Sequence, residues 1–309
     1  MNYYNQIKNE IIDIETYKKV KDYSKNKREL EGYYKIGKLL IEAQGGEDRA
    51  KYGDGLIKEY SKKLKDELGN IIKPRILWRA RKFYLVFSNK KVSTLSTLLN
   101  WSHYVELLSI KDINKINYYI KITEQQNLGV RNLREKIKNN EYERLDENTK
   151  EKLIENKKIE IQDYIKHPIL IKNPNNYDEI SEKTLQKLIL EDIPSFLKEL
   201  GEGYSFIENE YKIKVEDTFN YIDILLFNIK YNCYCVLELK TTKLKKEHIG
   251  QIQTYMDYID SEVKSIYHNK TIGIIICREN NSYVIKYCSN PNIYQTTYVT
   301  VNEEKLQYT

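Results

Sequence analysis

The chain has 309 residues, 40% hydrophobic and 31% charged, which gives enough apolar mass for packed cores and, by length, about two domains. No apolar run reaches the roughly 18 residues of a membrane span, and the N-terminus lacks the charged-then-apolar pattern of a secretory signal. Cys233, Cys235, Cys277 and Cys288 show no disulfide-framework spacing, and the lone C-x-C has no second pair to complete a zinc site, so a cytoplasmic chain with reduced thiols is expected. The net charge of +6 is unevenly shared. Residues 1–150 carry 31 Lys and Arg against 21 Asp and Glu, and the remainder carry 20 against 24. A basic half joined to an acidic half suggests that the first holds a polyanion. The 28 Tyr against 6 Phe suit half-buried positions and base stacking, but ordinary cores use them as well.

The first half reads as helices. Tyr33, Ile36, Gly37, Leu40 and Ile41 recur at helical spacing, and Gly45-Gly46 ends that helix. Leu56, Ile57, Tyr60 and Leu64 mark a second, with Gly69 near its end. Pro74 opens a third at a first-turn position that proline tolerates, followed by Leu77, Ala80, Arg81 and Tyr84. Further helical pattern covers residues 96–109, 111–126 and 129–140. Between 141 and 180 the pattern loosens through a charged run, Pro168 and the Asn173-Pro174-Asn175-Asn176 cluster. The domain boundary is expected there, giving a helical domain at 1–150, a linker region at 151–178 and a second domain at 179–309.

The second domain opens with one amphipathic helix over 182–200, bent at Pro194 and ended by Gly201 and Gly203. Strand-like runs follow at Tyr204–Val215, Phe219–Phe227 and Asn232–Lys240, then a helix at Lys246–Ile259. Two more strands are expected at Thr271–Cys277 and Ser282–Tyr287, with Asn280-Asn281 as the turn. The order predicts a small α/β domain around a mixed sheet.

Two of these strands carry charge where apolar side chains belong. Ile222-Asp223-Ile224-Leu225-Leu226-Phe227 reads as a buried strand with a carboxylate inside it, and a buried unpaired carboxylate needs a partner. Val236-Leu237-Glu238-Leu239-Lys240 repeats the feature. Residues two apart on a strand share a face, so Glu238 and Lys240 point the same way. If the two strands are neighbours, Asp223 and Glu238 converge as the oxygen donors that Mg²⁺ takes, the rest being water and phosphate. Such an ion acidifies a water and stabilises charge on a scissile phosphate. Lys240 is placed to orient or deprotonate the attacking water. E-x-K by itself is common and usually marks a surface ion pair; the pattern of Asp, hairpin, E-x-K and helix is more specific.

The pattern resembles the PD-(D/E)XK nuclease superfamily, and nearly the whole chain resembles the YhcG-like family, which joins a helical N-terminal domain to such a nuclease. The N-terminal likeness rests on Tyr34-Lys35-Ile36-Gly37, Ala50-Lys51-Tyr52-Gly53, Arg81-Lys82-Phe83-Tyr84 and Leu99-Asn100-Trp101-Ser102-His103-Tyr104. The C-terminal likeness rests on Phe196-Leu197-Lys198-Glu199-Leu200-Gly201, the Asp223 strand, Leu237-Glu238-Leu239-Lys240 and Gly250-Gln251. The resemblance implies a restriction-endonuclease-like α/β domain in which Asp223 and Glu238 bind Mg²⁺, with Mn²⁺ able to substitute, and Lys240 is the catalytic lysine. Gln251 matches a family Gly-Gln on the next helix, where it can bond a metal water or nearby backbone, or else serve as a helix-capping or DNA-contact glutamine. Many superfamily members add a helix carboxylate, for which Glu199 is the first candidate and Asp192 the alternative. The chain departs from the commoner family pattern at Gln186, where Glu is expected, and at Asn209-Glu210, where Arg-Gln is expected.

Residues 73–91 contain Lys73, Arg75, Arg79, Arg81, Lys82, Lys90 and Lys91 and no Asp or Glu. Helical periodicity puts Arg75, Arg79 and Lys82 on one face, opposite an apolar one, an arrangement suited to docking on phosphates. The preceding Gly69–Lys73 turn makes a helix-turn-helix-like domain the expectation. Trp78, Trp101 and His103 read as core residues, and no Gly-rich loop implies ATP. The chain is thus expected to be a metal-dependent endonuclease acting on nucleic acid, DNA in the first place, with foreign or recombining DNA suggested by family context alone. The alternative is a catalytically silent nucleic-acid-binding or assembly protein that uses the nuclease fold as a scaffold. Many nucleases of this superfamily pair two sites for two strands, so a homodimer is compatible with the resemblance. No membrane association is expected.

Overall fold

The computed structural model describes residues 2–19, 25–46, 54–69, 73–88, 95–96, 98–155 and 157–302. The chain forms two compact units, Met1–Lys138 and Asn139–Thr309. The first is helical among its described residues: α1 (Tyr3–Lys19), α2 (Lys25–Ala43), α3 (Asp54–Leu68), α4 (Pro74–Phe87), α5 (Trp101–Leu107), α6 (Ile113–Gln126) and α7 (Val130–Lys138). Pro74 sits in the first turn of α4, and Leu77, Ala80, Phe83 and Phe87 form its buried stripe. α2 and α4 pack closely at Gly37, where a Cβ would lie 2.2 Å from the Ala80 carbonyl oxygen, so only glycine allows this approach. Trp101 is buried and stacks on Tyr33 at 4.1 Å between ring centroids. Asn100 caps α5 by accepting the His103 amide, while His103 Nδ1 accepts the Asn100 amide and Nε2 lies 2.9 Å from the Leu128 carbonyl. Both residues are core, as their sequence context suggests. The turn ahead of α4 includes residues 70–72, which lie outside the described residues, as do Lys90, Lys91 and the 50–53 string.

The second unit contains α8 (Glu147–Ile154), β1 (Ile169–Lys172), α9 (Glu182–Glu191), α10 (Ile193–Leu200), β2 (Tyr204–Val215), β3 (Thr218–Asn228), β4 (Cys233–Lys243), α11 (Lys246–Tyr258), β5 (Ile272–Glu279), α12 (Ser282–Lys286) and β6 (Ile293–Val301). The strands form one mixed sheet in the order β1-β6-β5-β4-β3-β2. Pairing is antiparallel from β2 through β3 to β4 and parallel from β4 through β5 and β6 to β1. Side chains of α9 and α10, among them Leu185, Leu188, Ile189, Phe196 and Leu200, pack on one face with Ile224, Leu226, Leu237 and Leu239. On the other face Ile252, Tyr255, Met256 and Ile259 pack with Leu225, Val236 and Ile275. β4 is central and covered on both faces, which explains its unbroken apolar run. Gly273 in β5 leaves room for α11, since a Cβ there would meet Met256 Sδ at 2.7 Å.

The mixed sheet and the helical N-terminal unit match expectation, with three corrections. The helix expected over 182–200 is two helices, because the Asp192 side chain caps α10 by accepting the Ser195 amide at 3.2 Å, with Pro194 in the new first turn. Residues Ser282–Tyr287 are not a strand: α12 presents Tyr283 and Tyr287 to solvent, and β5 takes β6 as its partner instead. The stretch 151–178, read as a linker, contributes β1 to the sheet edge, with Ile169 and Ile171 in the core. Four-residue β1 is too short to announce itself among Pro and Asn punctuation. Among the described residues no helix is long and apolar enough to cross a membrane.

Candidate active site

β3 and β4 are adjacent, and their backbone pairing runs from Asn228–Cys233 to Ile224–Leu237. One step further the register brings Asp223 opposite Glu238. There the ladder changes character, because Asp223 Oδ2 accepts the Leu239 amide hydrogen at 2.7 Å. A side chain replaces a backbone carbonyl and holds the carboxylate at the point where the strands part. The Gln186 side-chain amide donates to the Asp223 carbonyl at 3.0 Å, tying α9 to the same residue. Glu210 of β2 falls between the pairs Asn209–Ile224 and Tyr211–Ile222 with a φ of 51°, so it also stands opposite Asp223.

Leu237 and Leu239 enter the α9-side core, so strand alternation turns Glu238 and Lys240 to the other side. Both are buried, Glu238 to 1% exposure. Lys240 Nζ donates to Glu238 Oε2 at 3.1 Å. Glu238 Oε1 has no hydrogen-bond partner, one of five such buried side-chain atoms among the described residues and the only one on a carboxylate. Burial first and the Asp223 charge second push the Glu238 carboxyl up to about 8, against the pull of Lys240. Burial also raises Asp223, opposed by the Leu239 amide and Lys240. Burial alone would lower the Lys240 ammonium, but Glu238, Asp223 and Glu182 reverse this and raise it. Lys240 is therefore a cation at neutral pH, and Glu238 keeps its proton there because one ammonium does not balance the two buried carboxyls.

That imbalance is the test of fit for a divalent cation. A buried carboxylate oxygen without a donor beside a second carboxylate is the donor set Mg²⁺ accepts. Among the described residues no group of three or more His, Cys, Asp or Glu forms a ready-made cage. Two carboxylates, water and substrate phosphate suffice for Mg²⁺, which keeps several waters. The residues fit the ion.

α11 adds His248, whose Nδ1 accepts the Lys245 amide at 3.2 Å, and Gln251, whose amide donates to the Tyr255 hydroxyl at 2.9 Å. Burial and then the Lys240 charge lower His248, which favours its neutral form. The structure corrects the helix carboxylate. Glu199 pairs with Arg144 and accepts the Leu170 amide at 3.0 Å, and Lys166 Nζ lies 3.9 Å from its Oε2. Leu170 belongs to β1, three strands from β4 and so about 14 Å away at ordinary strand spacing. Asp192 binds Lys172 of the same edge at 2.7 Å. Glu199 therefore cannot reach an ion at Glu238, and neither can Asp192. The helix carboxylate near the site is Glu182, the first helical residue of α9, with Oε2 3.9 Å from Lys240 Nζ. It lies one turn before Gln186, so the two face the site together. The position of Gln186 within an amphipathic helix could have pointed to it.

The basic helix face is present in α4, where Lys73, Arg75 and Lys82 are exposed and Arg79 is half-buried. Arg81 departs from that face: its Nε donates to Gln44 Oε1 at 2.9 Å. Cys233 and Cys235 are both buried free thiols and do not resemble a metal pair.

A strand-borne Asp facing Glu-x-Lys on a mixed sheet with helices on both faces defines a nuclease domain of the PD-(D/E)XK class. Residues 162–308 match the YhcG PDDEXK nuclease domain, and residues 8–144 match the DUF1016 N-terminal domain. The chain belongs to the YhcG-like family, which joins these two domains. It is similar to the Escherichia coli (strain K12) protein named "Putative nuclease YhcG", at 26% identity over 287 residues, 81% of this chain and 76% of that one. Among solved structures it is similar to a repair endonuclease from Pyrococcus abyssi, with 19% identity and a TM-score of 0.28 over 41% of this chain and 49% of that chain. It is also similar to the EndoMS–dsDNA2 complex, with 18% identity and a TM-score of 0.30 over 41% of this chain and 48% of that one. The chain spans about half the length of these two structures.

Proposed function

We propose that the chain is a Mg²⁺-dependent endonuclease that hydrolyses phosphodiester bonds of nucleic acid, DNA in the first place. The observation that carries this reading is the donorless Glu238 Oε1, buried beside Asp223 and Lys240 in a PDDEXK nuclease domain. Asp223 and Glu238 would hold the ion and Glu182 would add charge at the entrance. Once bound, the ion would acidify a water and offset charge on the scissile phosphate. Lys240, fixed by Glu238, holds its ammonium where it can orient the attacking water and balance the developing negative charge. Gln251 of α11 would bond water or backbone close by. Arg75, Arg79, Lys82 and Lys73 of the helical unit would bind phosphates without reading sequence.

The test is cleavage of supercoiled plasmid, branched DNA and RNA with Mg²⁺ or Mn²⁺ and with EDTA. Cleavage should require the divalent ion and vanish in Asp223→Ala and Lys240→Ala. Undiminished cleavage by either variant would overturn the assignment.

A further inference from the structure

The β2–β3 hairpin extends beyond the sheet. β4 pairs with β3 only from Ile224 to Asn228, whereas β2 and β3 remain paired out to Val215–Thr218. The inner face of this extension carries Ile213 and Ile222, both buried in the α11-side core. The outer face differs. Lys212 stands opposite Tyr221 and Lys214 opposite Phe219, and directly opposed residues share a face. All four are exposed, Phe219 to 56% and Tyr221 to 52%. Lys212 Nζ lies 3.8 Å from the centre of the Phe219 ring, a cation–π contact that orders both side chains. Glu216 and Asp217 occupy the turn and bound the face at its far end. At its near end Tyr221 is two residues from Asp223, about 7 Å along the strand.

Two exposed rings and two ammonium groups leading to a candidate metal ligand are not explained by folding, since the inner face alone buries the hairpin. We infer that this outer face binds a single-stranded or unpaired segment of polynucleotide. Bases stack on Phe219 and Tyr221, phosphates lie against Lys212 and Lys214, and the strand is led to Asp223. A closed duplex keeps its base faces stacked on one another and offers these rings nothing. The inference takes its substrate class from the nuclease reading. Binding is measured without cleavage, however, so the two can fail separately.

The experiment uses the full chain in EDTA and fluorescence anisotropy with labelled single strands of about 20 nucleotides, as DNA and as RNA, and with the corresponding duplex. Phe219→Ala/Tyr221→Ala should weaken single-strand binding by about tenfold or more and duplex binding by less than about twofold. Lys212→Gln/Lys214→Gln should lower the salt slope for single strands by about 1.4. Phe219→Tyr/Tyr221→Phe should bind like wild type, and Phe219→Leu/Tyr221→Leu serves if the alanine variant fails to fold. The tighter of the DNA and RNA arms identifies the sugar. Unchanged single-strand affinity in the ring-deleted chain overturns the proposal. So does an equal loss for duplex, or a wild type that binds no single strand. A changed oligomeric state in sedimentation with single-strand binding intact would assign the face to protein contact and also overturn it.

Discussion

The Asp223 carboxylate accepts the Leu239 amide hydrogen at 2.7 Å, closing the β3–β4 ladder with a side chain where a backbone carbonyl would ordinarily serve. One residue thus supports the fold through Oδ2, and on the nuclease reading Oδ1 would be its metal donor. Asn can supply the same acceptor without the charge. Asp223→Asn should therefore keep stability close to wild type, whereas Asp223→Ala orphans a strand amide at about 1–3 kcal/mol. Both should lose metal-dependent cleavage by about 10²-fold or more. Denaturant unfolding beside plasmid nicking checks the separation, and an Asn variant that cuts normally would remove Asp223 from the site.

The Glu238 carboxyl titrates at about 8 in the fold against an ordinary 4.5, so the folded chain holds this proton more tightly than the unfolded chain does. Its contribution to metal-free stability is complete below the ordinary value and is lost as pH rises through the folded value. Asp223, also raised, acts in the same direction. At about 1.4 kcal/mol per pKa unit, the loss amounts to a few kcal/mol between acid and mildly alkaline pH. In EDTA, wild type should lose stability across this range while Glu238→Gln stays flatter and exceeds wild type at the alkaline end. Mg²⁺ should restore the alkaline stability of wild type only and release protons on binding, which calorimetry in two buffers measures. Parallel pH profiles for the two proteins would refute this.

The central site was legible because β4 is covered on both faces: in an otherwise apolar strand, Glu238 and Lys240 stand out as exceptions that packing alone does not explain. The same logic made Asp223 visible. The partners of Glu199 are not legible for the converse reason, since they come from Arg144 and from β1, a strand too short to show in sequence. Glu182 passed unnoticed because a first-turn carboxylate after the N-cap Ser181 reads as ordinary helix chemistry. The split at Asp192 was hidden because the apolar stripe continues through it. α12 looks like a strand in sequence because five residues are too few to separate the two periodicities.

The two helix carboxylates should respond oppositely to substitution. Glu199 is nearly buried against Arg144, with side-chain exposures of 13% and 9%. Glu199→Gln leaves a buried guanidinium short of charge and should cost about 3–5 kcal/mol. Activity per folded molecule should survive. Glu182, 48% exposed, should cost little stability as Glu182→Gln, yet lower the cleavage rate by about tenfold through weaker charge at the entrance. Thermal melts and turnover on one preparation of each variant decide the matter. Full activity in Glu182→Gln would show that its proximity to Lys240 has no chemical use.

The basic face of α4 makes a prediction about salt rather than turnover. Arg75, Arg79 and Lys82 are i, i+4 and i+7 on one helix, opposite the buried Leu77, Ala80, Phe83 and Phe87. If all three meet phosphates, changing them to Gln removes about 0.9 from the salt slope for each contact on duplex DNA, close to 3 for the triple variant. Because none of them is buried, the melting temperature should hold. Arg81 is the internal control. Its guanidinium is bound to Gln44, so Arg81→Gln should leave the slope alone and act on stability instead. Affinity measured over a series of salt concentrations separates the two outcomes. A triple variant with the wild-type slope would mean that the face is merely solvated and that another surface holds the polyanion.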